Sequence, residues 1–190
     1  PEVYYQFAEA IRGIGDACRK FGTPVTGGNV SFYNESRDFA VYPTPTIGVI
    51  GLIEDVNKTV TSYFKKPGDV IMLIGEPYSD EIGGSEYLNT IHGKVSGESP
   101  AIDRDKEKNL QDWTLELIDK ELLNSAHDVS DGGIAVAMTE ACIFNEKNPV
   151  GCQIDFDYSH RKDFELFGET QSRIIISADE SSVKAIEEVC

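Results

Sequence analysis

Apolar residues recur at three- and four-residue spacing in the first twenty positions, with Phe7, Ile11, Ile14 and Cys18 on one stripe. That spacing predicts a helix over 3–21 with one buried face, loosened at Gly13 and Gly15 and stopped at Gly22. The pattern then changes. A short strand is predicted over 24–26. The nearly continuous apolar run over 46–54 predicts a strand covered on both faces, with its two glycines marking a bulge or a close backbone approach. A polar stretch follows, closed by the turn signal Lys65-Lys66-Pro67-Gly68. Beyond it the periodicity predicts a buried strand over 70–75 and a short helix opened by Gly83-Gly84-Ser85-Glu86 and running through Ile91. A long helix over 103–123 carries Leu110, Trp113, Leu117, Ile118 and Leu122 on one stripe. A strand over 125–129 turns at Asp131-Gly132-Gly133 into a helix reaching about Phe144, with Asp131 as its cap. Strands over 150–156 and 173–177 and a helix over 182–190 complete the chain. Ser177-Ala178-Asp179-Glu180 has the spacing of a capping box before that last helix. The order β-α-α-β-α-β-β-α predicts a layered α/β structure of the α+β type.

Composition narrows the function. The chain has 190 residues, 40% hydrophobic and 26% charged, enough for a packed core. Net charge is −16, from 33 acidic and 17 basic residues. A basic face for nucleic acid is therefore not expected, nor is attraction to an anionic membrane. No apolar run is long enough for a membrane span and no secretory leader is evident, which points to the cytoplasm. The acidity is first of all a solvated surface. It would also repel a phosphorylated ligand unless a divalent cation or backbone N–H groups intervened, which makes Mg²⁺ a natural companion of any phosphate. Cys18, Cys142, Cys152 and Cys190 show no metal-ligand spacing and fit a reducing compartment better than a disulfide framework. Pro1 is not an initiator methionine, and no stop signal follows the last helix. Both ends read as those of a piece of something longer.

Three polar segments lie where strands meet turns or helices, the places where α/β proteins build sites. The first is Gly27-Gly28-Asn29-Val30-Ser31-Phe32-Tyr33-Asn34-Glu35, in which two glycines clear the backbone and Asn29, Ser31, Asn34 and Glu35 offer oxygens and amides. The second is 126–133. On a strand His127 and Asp128 face opposite ways, Asp128 and Ser130 share a face, and the helix start at Gly132-Gly133 could hold an anion. The third is 167–173, where alternation would line Glu169, Gln171 and Arg173 along one strand face. For each there is a plainer alternative: a turn, a strand-to-helix corner with its cap, a solvated edge. The loop at Gly83-Gly84 lacks the lysine of a P-loop, and His92 and His160 read as surface histidines. No nucleophile–histidine–acid arrangement stands out.

Taken in order, five stretches carry a resemblance. They are Thr23–Glu35, Tyr42-Pro43-Thr44-Pro45-Thr46-Ile47-Gly48, Gly51-Leu52-Ile53-Glu54-Asp55, Ser125–Gly133 and Phe167-Gly168-Glu169-Thr170-Gln171-Ser172-Arg173. Together they resemble the large synthetase subunit of the phosphoribosylformylglycinamidine synthase family, in the aminoimidazole ribonucleotide synthase-like superfamily. The resemblance covers essentially the whole chain. It implies that residues 1–56 are the closing part of the second N-terminal-type, ATP- and substrate-binding domain. Residues 57–190 would be most of the second C-terminal-type α/β domain.

The implied reaction is a carbon–nitrogen ligation in purine biosynthesis. ATP activates the formamide oxygen of formylglycinamide ribonucleotide, and glutamine-derived ammonia displaces the phosphate, giving formylglycinamidine ribonucleotide, ADP and phosphate. By position in the motif, Gly28 would contact ATP, Asn29 would be a Mg²⁺ ligand and Ser31 would contact the ribonucleotide. Asp128, Glu169, Gln171 and Arg173 match positions that in the family's first half touch metal and substrate, and here would form a pseudo-site. The family's catalytic histidine lies in the first half, so no catalytic residue is assigned and the fragment alone is expected to be inactive. Implied partners are the remainder of the same synthetase chain, a glutaminase subunit or domain, a small bridging subunit and a second copy of the fragment. The rivals are another superfamily enzyme such as aminoimidazole ribonucleotide synthase, which typically carries an acidic Gly-Gly-Glu-Thr where Gly27-Gly28-Asn29-Val30 stands here, and a noncatalytic domain-pairing module.

Overall fold

The computed structural model describes residues 2–33, 35–77, 79–155 and 161–190. Asn34 and His160, and the Phe156 end of one expected strand, lie outside the described residues. The chain divides into two units, Pro1–Glu54 and Asp55–Cys190.

Helix α1 (Glu2–Phe21) dominates the first unit. Its charges follow the macrodipole, with Glu2 in the first turn and Arg19 and Lys20 in the last. Gly22, with φ 67°, ends it in the left-handed conformation. The expected apolar stripe forms, but no α1 residue is buried: Ile11 stays 53% exposed, and Phe7 meets Phe32 at 5.7 Å between ring centroids. The expected strands at 24–26 and 46–54 are absent. Residues 46–54 have no ladder partner among the described residues, and Ile50 and Leu52 are almost fully exposed. An apolar run becomes a strand only when neighbours take up its N–H and C=O groups. Backbone closure in this stretch comes from the Glu35–Ala40 bridge, whose turn is held by Ser36 accepting from the N–H groups of Asp38 and Phe39.

The second unit is built on an antiparallel sheet in the order β1-β3-β2 among the described residues: β1 (Val70–Gly75), β2 (Ser125–Asp128) and β3 (Arg173–Ala178). Helices are α2 (Glu86–His92), α3 (Arg104–Asp119), α4 (Gly133–Ile143), α5 (Lys162–Phe167) and α6 (Val183–Glu187). β3 takes the centre because it is apolar on both faces. Ile175 joins the cluster of Phe64, Ile134 and Met138 on the α4 side. Ile174, Ile176 and Ala178 join Leu110, Leu117 and Ile186 on the side of α3 and α6. Ile71 and Leu73 of β1 face the first cluster, and Met72 and Ile74 the second, which is the alternation a doubly covered strand requires. Where Ser125 and Ser177 pair across the ladder, their hydroxyls bond each other at 2.6 Å, so these buried polar atoms are satisfied.

Local signals account for several boundaries. Ser85 caps α2 by accepting from Leu88 N–H, and Gly93 closes it with φ 61°. Asp103 caps α3 by accepting from the N–H groups of Asp105 and Lys106, and α3 stops at Asp119, short of the expected Leu123. Lys58 ties the polar stretch before β1 to Asp119 at the end of α3, and Thr61 pairs in parallel with Ser125.

Three expectations are corrected here. Residues 150–155 are not a strand: Val150 donates to Cys142 C=O and the chain runs beside the end of α4. A helix, α5, stands in that part of the order instead, docked by Phe167 stacking on Tyr87 at 4.8 Å. Ser177 is a buried strand residue and caps nothing; the turn Glu180–Ser182 follows Asp179 with no side-chain cap.

Candidate functional site

In the first unit, Gly27–Tyr33 is wholly exposed. A Cβ placed on Gly27 or Gly28 would meet nothing within 4 Å, so this backbone is open to an incoming group. Among the described residues neither Asn29 nor Ser31 takes part in a hydrogen bond, which leaves their polar atoms uncommitted. Asn29 provides a neutral hard oxygen of the kind Mg²⁺ accepts, but one amide oxygen is not a cage. No group of three or more His, Cys, Asp or Glu side chains that could hold a metal exists among the described residues. A Mg²⁺ held by Asn29 would therefore have to keep waters and phosphate oxygens in most of its positions.

The second unit differs. The N-terminus of α4 has Gly132 at its cap with φ 78° and no side-chain cap; Asp131, the expected cap, is exposed and does not serve. The anion expected at this helix start is supplied from within the chain. Glu169 Oε1 accepts from Gly132 N–H at 2.8 Å and from Glu86 N–H at 2.9 Å, so one carboxylate closes the starts of both α4 and α2. Gly133 is glycine for packing: a Cβ there would lie 2.7 Å from Gly168 O and 2.8 Å from Leu166 O.

Arg173 is 3% exposed, and its guanidinium donates to Gly168 O at 2.6 Å and Thr170 O at 3.0 Å. Burial pushes its pKa below the ordinary arginine value, and the Glu81 carboxylate pulls the other way. Glu81 in turn accepts from Ala101 N–H at 2.8 Å and from the Thr170 hydroxyl, which shares a 2.6 Å bond with Ser79. Glu81 and Ser79 were not singled out by the sequence, and Thr170 only as a member of the 167–173 segment. An Asp80-Glu81 pair in an acidic chain carries no signal of its own.

Glu169, Gln171 and Arg173 do not share a strand face. β3 begins only at Arg173, because Ser172 has φ 62° and breaks the extended run; Gln171 points out and Arg173 in. Asp128 is exposed and bound to none of these groups; its carboxylate lies 3.6 Å from Nδ1 of the buried His127. The His127 ring stacks on Phe144. Its Nδ1 lies 2.7 Å from Asp128 O, and Nε2 lies 3.2 Å from Glu140. His127 is an interior strut between β2 and α4.

The Glu169 clasp yields a test. Glu169→Ala is expected to destabilise the chain by about 1–3 kcal/mol, because two helix-start N–H groups lose their acceptor. Glu169→Gln, which keeps one acceptor oxygen, should cost less. Urea unfolding reads the stability, and faster amide exchange at Gly132 and Glu86 reads the location. A silent Glu169→Ala at both amides would contradict the clasp.

Comparison with known proteins gives the family. Residues 1–53 match the model of "AIR synthase related protein, N-terminal domain" and residues 66–190 that of "AIR synthase related protein, C-terminal domain". A phosphoribosylformylglycinamidine synthase subunit PurL from Anaeromyxobacter sp. (strain Fw109-5) is 51% identical over 96% of this chain and 24% of its own length. One from Chlorobaculum tepidum is 48% identical over 99% of this chain and 26% of its own length. The chain thus spans about a quarter of the curated relatives it matches. Among solved structures, Thermotoga maritima PurL complexed with FGAR superposes with a TM-score of 0.52 at 19% identity, over 70% of this chain and 23% of that one. This last likeness bears on the fold alone. With a family model covering residues 66–190 and a second covering 1–53, the chain belongs to the AIR synthase related protein family.

Proposed function

We propose that this chain is part of an ATP-dependent synthetase that converts formylglycinamide ribonucleotide and glutamine-derived ammonia to formylglycinamidine ribonucleotide, with ATP going to ADP and phosphate. The reading rests on about half-identity to proteins named for that synthase. The observation that carries it is the open loop at 27–33, with bare backbone at Gly27-Gly28 and uncommitted polar groups at Asn29 and Ser31. In this reading residues 1–56 close the second N-terminal-type domain and residues 57–190 form most of the second C-terminal-type domain.

The roles are those implied by position in the family motif, and the chemistry of each group agrees with them. Gly28 lets backbone N–H approach a phosphate of ATP. Asn29 gives its amide oxygen to Mg²⁺, which when bound neutralises phosphate charge in an otherwise acidic protein. The Ser31 hydroxyl donates to an anionic oxygen of the ribonucleotide. Glu169 occupies the Gly132 N–H and Ser130 O the Gly133 N–H at the α4 start, and Arg173 is buried with its guanidinium on backbone carbonyls. Support for the second unit is therefore for a framework role, with Asp128, Glu169, Gln171 and Arg173 outside the chemistry. Ammonia would come from a glutaminase subunit or domain, with the remainder of the synthetase chain and a small bridging subunit as further partners, in the cytoplasm. Among the described residues no helix is long and apolar enough to cross a membrane.

Titration calorimetry of the 190-residue chain with Mg²⁺–ATP tests this division. Weak or absent binding is expected, since the loop offers one wall of a site and no cluster of further metal ligands exists among the described residues. Tight, stoichiometric binding would mean that the site is self-contained.

A further inference from the structure

We propose that Cys142 and Cys152 form a thiol pair that closes reversibly to a disulfide on reaction with a small-molecule disulfide, pinning residues 150–152 to the end of α4. The Cys142 S–H donates to Cys152 Sγ at 3.5 Å. Cys142 is half-buried near the C-terminus of α4 and packs against the Phe64–Met138 cluster, whereas Cys152 is exposed. The backbone already holds the two close, because Val150 N–H donates to Cys142 C=O at 3.3 Å. Bond formation needs the sulfurs to approach to about 2.05 Å. Rotation of the exposed Cys152 side chain supplies much of that closure, since residues 151–155 carry no strand pairing that would resist it.

The asymmetry of the pair sets the order of events. Burial, together with the hydrogen bond to Cys152, pushes the Cys142 thiol up to about 11, so it keeps its proton. Cys152 receives that S–H bond and is the accessible sulfur. The Cys152 thiolate attacks one sulfur of the small disulfide RSSR, forming a mixed disulfide and expelling RS⁻. Cys142 then passes its proton to the released thiolate and attacks Cys152 Sγ, forming the Cys142–Cys152 bond and expelling the second RS⁻, which takes up the proton that Cys152 first gave to solvent. The pair loses two electrons and the small disulfide gains them: two protein thiols and RSSR become one protein disulfide and two RSH.

The test is incubation of the 190-residue chain in glutathione buffers of rising oxidised fraction. Non-reducing peptide mapping and intact mass read the result. The expected outcome is a Cys142–Cys152 cross-link, a fall from four to two titratable thiols, reversal by dithiothreitol and a raised thermal midpoint, because a closed loop restricts the unfolded chain. Cys142→Ser should trap one glutathione on Cys152, and Cys152→Ser should leave Cys142 unmodified. The proposal is overturned if both thiols stay free where dithiothreitol itself is oxidised, if cross-links join other cysteines instead, or if Cys142→Ser acquires no adduct. Cys142→Ala is a second variant should the serine disturb the interior.

Discussion

In the full-length protein, Asn29→Ala is expected to lower Mg²⁺–ATP-dependent turnover by about 10- to 100-fold or more while leaving the thermal midpoint unchanged. The magnitude is that of outer-shell groups around a metal, which a direct ligand should at least equal. The lack of a stability cost follows from the structure. Asn29 is exposed and makes no hydrogen bond among the described residues, so truncating it removes nothing that folding relies on. Kinetics at limiting and at saturating Mg²⁺ separate the causes: a lost metal ligand raises the Mg²⁺ requirement, and excess metal partly restores the rate. Unchanged kinetics at limiting Mg²⁺ would remove Asn29 from the metal's shell.

Gly75→Ala is expected to have the largest effect on stability, at about 3 kcal/mol or more. Gly75 ends β1 opposite Arg173 with φ 100°, where an L side chain is strained. A Cβ there would fall 2.0 Å from Ser172 O and 3.0 Å from Ser172 C, and these are backbone atoms that cannot rotate away. Relief means moving the start of β3, and with it Arg173 and the loop that carries Glu169. Gly84→Ala is the internal control. Its φ is 70°, but a Cβ there meets nothing within 4 Å, so only the conformational cost of about 1–2 kcal/mol applies. Denaturant unfolding of the two variants distinguishes collision from backbone strain. Equal losses would show that the β1–β3 corner yields more easily than its geometry indicates.

Legibility in the sequence varied from element to element. Val70–Gly75 and Arg173–Ala178 were readable because both sheet faces are covered and almost every residue is apolar. Ser85 and Asp103 marked helix starts because their side chains bond N–H groups two or three residues on, an interaction written within a few positions of the chain. Residues 46–54 were equally apolar and are not a strand, since hydrophobicity says a run wants covering without supplying the partner that covers it. The α5 helix was missed because its six residues are too few for periodicity to register.

The candidate site divides in the same way. The open, polar character of residues 27–33 is a local property that composition and spacing disclose. The closing of the α4 start by Glu169 is not: it joins Gly132 and Glu86 to a residue 37 and 83 positions away, respectively. From the chain alone Gly132-Gly133 and Glu169 could be read either as parts of a ligand site or as a helix corner and a solvated edge. Folded, Glu169 bonds the Gly132 N–H.

The sequence by itself determined the family, the caps Ser85 and Asp103, and the strands Val70–Gly75 and Arg173–Ala178, because these depend on residue type and short-range spacing. The tertiary structure decided which polar groups remain available. Hydrogen-bond capacity at a helix start or on a carboxylate is finite, and only long-range contacts reveal whether the fold has already used it: here it is used around Arg173 and left open around Asn29.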